Sequence, residues 1–379
     1  MLKTILSLVF MLAVSATFVF AEEGVTDNEI LIGMSNALNG PAMALGTGIK
    51  AGISIYINKV NLKGGVHGHK IKLISYDDGY EPEKAVTNTK KLLEEDKVFA
   101  LIGYVGTPTS SAVMPIFSKA GVPYFAPFTG AELLRNPVNK QLFNVRASYF
   151  DETETMVDHL TKDLGIKKIG VFAQADSFGD AGRAGVMRAL KKRDLTLTGD
   201  GKYTRNTTEI SEGLEALKKA NPEAVIMIGT YKPCAEFIKK AKSQGFKPKF
   251  LNISFVGTYA LIQELGSDGD GVIVTQVVPN PIDSPLRIVK EYKQDMALAG
   301  RGALDFTSLE GYIDAAIFVE GLKKLESPTR VSFSSNMEGM NMDIGGLKVS
   351  FSPTNHQALK EVFLTKIEKG KAISISKLE

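Results

Sequence analysis

The sequence predicts an α/β protein made of two doubly wound, parallel-sheet lobes. Short apolar runs alternate with longer segments of helical period along almost the whole chain, the pattern of strands joined by crossover helices. The strand candidates number roughly a dozen, more than one open sheet ordinarily holds, so they divide between two sheets. Length and composition agree. The chain has 379 residues, 44% hydrophobic and 23% charged, which excludes wholesale disorder and suits two domains.

The first segment reads as an address. Lys3 is a short basic region, and residues 5–20 are apolar except for Ser7, Ser15 and Thr17. Val19-Phe20-Ala21 followed by Glu22-Glu23 forms a small-residue cleavage pattern, so a secretory signal peptide is expected at 1–21. No later segment is long and apolar enough to span a membrane.

The mature chain opens with a strand over 29–33 and a helix over about 42–62, stopped by Lys63-Gly64-Gly65. Residues 71–76 alternate like a strand. Pro82 opens a helix whose apolar face is Ala85, Val86, Leu92 and Leu93. A buried-type strand follows at 99–103, a helix from about Ser110 to Gly121, and a strand at 123–127. Beyond Arg146, helices are expected around Met156–Leu164, Val186–Leu190, Ile210–Leu217 and Phe237–Ala241. Strands are expected at 168–172, 224–229, 249–253 and 271–278.

Several function classes drop out. A net charge of +3 is too small to announce a nucleic-acid surface. One cysteine, Cys234, forms no intramolecular disulfide and no thiolate zinc site. Gly46-Thr-Gly48-Ile-Lys-Ala51 matches a dinucleotide fingerprint, but it does not follow its strand directly and lacks the acid about 20 residues on, so helix packing is the better reading. His67 and His69 have no third ligand in sight, and Asp77-Asp78 suit loop capping better than catalysis. Cys234 is expected near a helix start, as a packing residue. No nucleophile–base motif is present, so no enzyme, cofactor or metal is expected.

Taken in order, several stretches resemble the leucine/isoleucine/valine-binding family of bacterial ABC importers. Asn39-Gly40-Pro41 with Gly46 is similar to that family's Ser-Gly-Pro loop and glycine. Lys63 to Lys70 with Tyr76-Asp77-Asp78 is similar to its Gly-Gly turn and strand-end acids. Ile102-Gly103 through Thr107-Pro-Thr109, then Gly121 to Pro127, Gly229-Thr-Tyr231 and Gly271 to Val274 follow in the same order. The resemblance implies two lobes joined by three crossings, lobe one being 22–146 and 280–345 and lobe two 147–279 and 346–379. It implies a periplasmic protein that closes on a small-molecule ligand and delivers it to a membrane permease, with no nucleic acid and no membrane insertion after signal cleavage. A sensory protein docking on a membrane receptor would use the same cleft.

The resemblance also implies the pocket. Thr107 takes the place of a serine that holds the solute's α-carboxylate, or its hydroxyl caps the following helix instead. Phe128, Thr129 and Gly130 take the place of a second carboxylate-binding element, with backbone groups of Phe128 and Gly130 expected to point into the cleft. Tyr231 and Phe178 match a tyrosine and a pocket aromatic of the second lobe, while Leu45, Gly106 and Tyr149 complete the lining. Ser254 falls where the family has the glutamate that pairs with an α-ammonium. Glu310 is expected to stabilise its own helix as a first-turn acid, the alternative being that it faces the cleft as a substitute counter-ion. The pocket therefore suits an anion better than an α-amino acid. A branched-chain or other amino acid competes with a carboxylate or amide, aromatic or not, that lacks the ammonium.

Overall fold

A computed structural model describes residues 22–379, so the expected signal peptide lies outside the described residues. The first unit runs β1 (Glu29–Asn36), α1 (Met43–Leu62), β2 (Lys70–Asp77), α2 (Pro82–Glu94), β3 (Ala100–Ile102), α3 (Thr107–Ala120), β4 (Tyr124–Phe125) and β5 (Leu142–Phe143). Its five strands are parallel, in the order β2-β1-β3-β4-β5. The chain then passes through α4 (Tyr149–Asp163), β6 (Ile169–Gln174), α5 (Ser177–Lys191), β7 (Gly199–Tyr203), α6 (Ser211–Ala220), β8 (Ala224–Ile228), α7 (Tyr231–Ser243), β9 (Lys249–Asn252), α8 (Thr258–Leu265) and β10 (Ile273–Gln276). It continues with α9 (Arg287–Leu298), α10 (Phe306–Leu322), α11 (Arg330–Glu338), β11 (Asn341–Ile344), β12 (Leu347–Ser350), β13 (Phe363–Glu368) and β14 (Lys371–Ile375). The second sheet has the order β14-β13-β10-β9-β8-β6-β7, with β13 antiparallel to both its neighbours, β10 and β14.

Central strands such as β3, β6 and β8 are buried along their whole length, which is why they read as unbroken apolar runs. Helix α10 is apolar nearly all round and buried over almost its whole length, the mark of a core helix. It packs on α1 at backbone contact: a Cβ on Gly52 would meet the Ser308 carbonyl oxygen at 1.9 Å, and one on Gly311 would meet that of Ile49 at 2.3 Å. Gly46 is likewise pressed against Ala37, so the glycines of the apparent dinucleotide fingerprint serve packing within α1.

Two expectations change here. Helix α3 starts at Thr107, not near Ser110, because Gly106 at φ +105° makes the turn and Pro108 fits the first turn. The expected third crossing at Gly345-Gly346 is a hairpin turn instead. Both glycines have positive φ, and β11 pairs with β12 across them. The segment after β12 stays on the first unit: Phe351 and His356 pack on Phe143, and Ala358 and Leu359 donate to the carbonyls of Asn144 and Val145. The chain returns to the second sheet only between Leu359 and Phe363.

Candidate functional site

The carboxyl ends of the strands of both sheets face one cleft, and the loops there present the chemistry. Gly106 permits the approach of Tyr80, since a Cβ would lie 2.2 Å from its ring. Thr107, the first residue of α3, is fully buried, and its Oγ1 lies 2.7 Å from Thr129 Oγ1. Thr129 Oγ1 donates to the Tyr149 hydroxyl at 3.2 Å. Tyr149 opens α4, whose preceding Ser148 forms a capping box with Asp151. Three hydroxyls from three chain segments thus form one chain beside two helix N-termini, where developing or fixed negative charge is favoured. Burial holds the Tyr149 phenol up at about 12, so it stays a donor.

The helix-capping alternative for Thr107 is overturned, because Gly106 is the cap residue and Thr107 lies inside the helix with its hydroxyl on Thr129. The expected backbone donor at Phe128 is also corrected. Its N–H donates to the Tyr104 carbonyl at 2.7 Å, and its own carbonyl accepts from Gly106 N–H at 3.2 Å. Phe128 offers its ring, not its backbone. Gly130 spends its carbonyl on Tyr149 N–H at 2.7 Å, and a Cβ there would lie 2.5 Å from the Tyr149 ring. Glycine stands at 130 because Tyr149 fills the space a side chain would need.

Ser254 and Glu310 converge on a residue the sequence reading missed, Arg146. Its side chain is 1% exposed and its guanidinium sits 4.4 Å above the Phe128 ring. Arg146 Nη2 donates to Ser254 Oγ, and Glu310 Oε1 lies 3.1 Å from Nε as an ionic contact not aligned as a hydrogen bond. Nε and Nη1 have no hydrogen-bond partner among the described residues. Glu310 is therefore not a first-turn acid serving its own helix, whose cap is Asp305; it is a buried partner of Arg146. Glu152, on α4, backs Ser254: it accepts from Ser254 N–H at 2.7 Å, Ser254 Oγ at 2.9 Å and Thr275 Oγ1 at 2.5 Å. Burial pushes the carboxyls of Glu152, Glu310 and Asp314 upward, opposed by the charge of Arg146.

A second missed residue, Phe255, joins the two walls. Its ring lies 4.4 Å from Phe178, 5.3 Å from Phe128 and 6.1 Å from Tyr80. Phe178 in turn faces Tyr149 at 5.6 Å. At the rim, Leu45 packs on Gly257, and the Tyr231 hydroxyl accepts weakly from Ala44 N–H at 3.4 Å across the cleft. Tyr231 thus bonds to the opposite lobe and not to the hydroxyl chain. An opening of about 360 Å³ beside it is lined by Leu45, Gly257, Tyr259, Asp305 and Thr307 among others. Cys234 is buried within α7 with its thiol pKa pushed up, which suits packing. Asp77 caps the 36–39 loop through Leu38 and Asn39 N–H groups. No described helix is long and apolar enough to cross a membrane.

The model of the family described as periplasmic binding protein matches residues 29–372. A crystal structure titled a possible leucine/isoleucine/valine-binding protein, from Rhodopirellula baltica SH 1, is 38% identical, covers 92% of this chain and 96% of its own, and superposes with a TM-score of 0.88. A substrate-binding periplasmic protein from Ralstonia solanacearum is 27% identical over 92% of this chain and all of its own, with a TM-score of 0.86. The Leu/Ile/Val-binding protein homolog 7 of Brucella suis biovar 1 is 22% identical over 96% of both chains. With two α/β lobes facing one cleft and a match that spans nearly all the described residues, this chain belongs to the periplasmic binding protein family, whose members bind solutes and are not enzymes.

Proposed function

We propose that the protein is the exported, solute-capturing component of an ABC importer, closing its two lobes on a small carboxylate-bearing molecule and presenting it to a membrane permease. The observation that carries this reading is the convergence at the cleft of the Thr107–Thr129–Tyr149 hydroxyl chain, whose free O–H is that of Tyr149, and the buried Arg146 with its two unpartnered N–H positions, both donors toward an anion. Similarity to the Leu/Ile/Val-binding protein homolog 7 of Brucella suis biovar 1 supports a small solute. The two-lobe architecture supports closure as a hinged pair.

Native mass spectrometry of protein purified from the periplasm tests it. The expected mass is that of a chain beginning at Glu22, with a carboxylate-bearing molecule released on denaturation. A retained 1–21 segment would overturn export, and a chain that binds no carboxylate in calorimetry would overturn the cleft assignment. Co-purification with a permease complex, and not with a membrane receptor, is the outcome that fits import.

A further inference from the structure

The class of solute follows from which hydrogen-bonding functions the cleft leaves unspent, and it rests on the solute-binding reading above. Ser254 Oγ accepts from Arg146 and donates to Glu152 Oε1. Glu152 also takes the Ser254 N–H and the Thr275 hydroxyl, so its carboxylate is met by three donors. Three of the four lone-pair sites of that carboxylate are thereby taken, which leaves a single acceptor position, on Oε1, for the three protons of an ammonium group. Beside it stands the opposite: the Nη1 and Nε donors of a guanidinium that is nine-tenths buried and more. A buried charged N–H without an acceptor is costly until one arrives. The guanidinium lies against Phe128 of one lobe and Ser254 of the other, so those donors sit where the two walls of the cleft meet.

We infer that the solute is a carboxylate without an α-ammonium group, that Arg146 is the residue selecting it, and that the Glu152–Ser254 pair, with most of its acceptors already engaged, disfavours α-amino acids. Glu310 does not supply the missing counter-ion, because its carboxylate already faces the guanidinium at 3.1 Å. Burial favours protonation of Glu310 and Asp314, which lowers the negative charge an incoming anion would meet. The rings of Phe128, Phe178 and Phe255 suit an apolar body behind the carboxylate.

The test is calorimetry and thermal shift with matched probes: 4-methyl-2-oxopentanoate against leucine, and 3-phenylpropanoate against phenylalanine. At least one deaminated acid is expected to bind, and at least tenfold more tightly than its amino acid. Arg146→Gln should weaken that acid by about 10- to 150-fold, the range for a hydrogen bond to a charged group. Arg146→Lys, which keeps the charge and moves the donors, should restore part of the loss. Glu310→Gln, which removes the carboxylate that faces the same guanidinium, should tighten binding of the acid, and it decides the matter if the Arg146 variants do not fold. Tighter binding of an amino acid, lost in Glu310→Gln, overturns the inference. So do folded Arg146 variants that bind the acid like wild type. If no probe binds, the molecule released from the purified protein decides. A non-amino carboxylate upholds the inference, an amine or a molecule without a carboxylate overturns it while sparing solute capture, and no released molecule at all overturns both.

Discussion

Asp78 follows β2 and holds the loop that carries Tyr80 into the cleft. Its carboxylate accepts from Ser35 Oγ at 2.7 Å and from Tyr80 N–H at 2.8 Å, with no exposure to solvent. Burial, the largest influence, raises its pKa from 3.8 to about 6 against those hydrogen bonds, and the charges of Asp77 and Glu81 add to the rise. The folded state therefore binds this proton more tightly than the unfolded chain. Its contribution to stability is present below about pH 4 and is lost as pH rises through 6. Between pH 4.5 and 7.5 the loss amounts to about 2 kcal/mol. Urea unfolding of wild type and Asp78→Asn at both pH values measures it: the variant should gain about that much relative to wild type at the higher pH. A constant difference between the two proteins would show that Asp78 ionises normally. At this scale the sequence was partly legible. Thr107, Thr129 and Tyr149 come together, and Phe178 and Ser254 line the same region. Arg146 and Glu152 were not legible, because a lone arginine beside a crossing and an acid in a helix's first turn each have an ordinary surface explanation. Only the fold brings them within bonding distance of Ser254. Phe255 carried a weak signal, as the immediate neighbour of a residue already placed in the cleft.

At the scale of elements, α1 and α10 share a contact too close for any side chain. The alternation of strands and amphipathic helices was readable because β3, β6 and β8 are wholly buried and α2, α4 and α6 bury one face. Two-residue strands such as β5, and the hairpins β11–β12 and β13–β14, leave too short a period to read. The Gly-Gly turn at 345–346 looks like a linker in sequence and becomes a hairpin only once β11 is seen paired with β12 and Phe351, just beyond, is seen packed on Phe143 of the first unit. The glycines of α1 carry a sharper consequence. Alanine in a helix interior is favoured over glycine by about 1 kcal/mol. At Gly52 the new Cβ would sit 1.9 Å from the Ser308 carbonyl oxygen and 2.6 Å from Tyr312 N, both backbone atoms that cannot swing away. Moving two packed helices apart costs about 1–3 kcal/mol, occasionally more, so the clash outweighs the propensity gain. Gly52→Ala should lower the urea midpoint, and Gly64→Ala, in an open turn at φ +99°, should lower it less because only local backbone strain opposes it. A Gly52→Ala protein as stable as wild type would mean that α1 and α10 are not in backbone contact.

At the scale of the whole molecule, the chain crosses between its sheets near β5 on one side and near β10 and β13 on the other, while β2 and β7 form the far edges of the two sheets. Between those far edges a polar clasp spans the cleft. Arg205, just past β7, reaches Glu81 at 2.8 Å and Asp176 at 3.1 Å. Asn206 donates to Glu81 at 2.7 Å and to the Gly79 carbonyl at 3.1 Å, and Gln174 donates to the Tyr80 hydroxyl at 3.2 Å. Contacts placed farthest from a hinge move most when it opens, so the bonds to Gly79, Tyr80 and Glu81 break early in opening and form late in closing, while the Arg205–Asp176 pair lies within the second unit and holds Arg205 in place. The Arg205 and Glu81 side chains keep some solvent exposure, which limits their ion pair to about 1 kcal/mol, or roughly a fivefold bias toward the closed form. The neutral hydrogen bonds of Asn206 add a similar amount. Arg205→Ala with Asn206→Ala should therefore raise the open population of the solute-free protein. Small-angle scattering would record this as a radius of gyration larger than that of wild type, whose closed form should lie near the ~20 Å of a compact chain this size. Raising salt from 0.05 to about 1 M should move wild type in the same direction and the double variant less, since the screened ion pair is already gone. Identical scattering from the two proteins at low salt would show that closure is governed by the hydroxyl chain and Arg146 inside the cleft, with the Arg205 clasp contributing nothing to it.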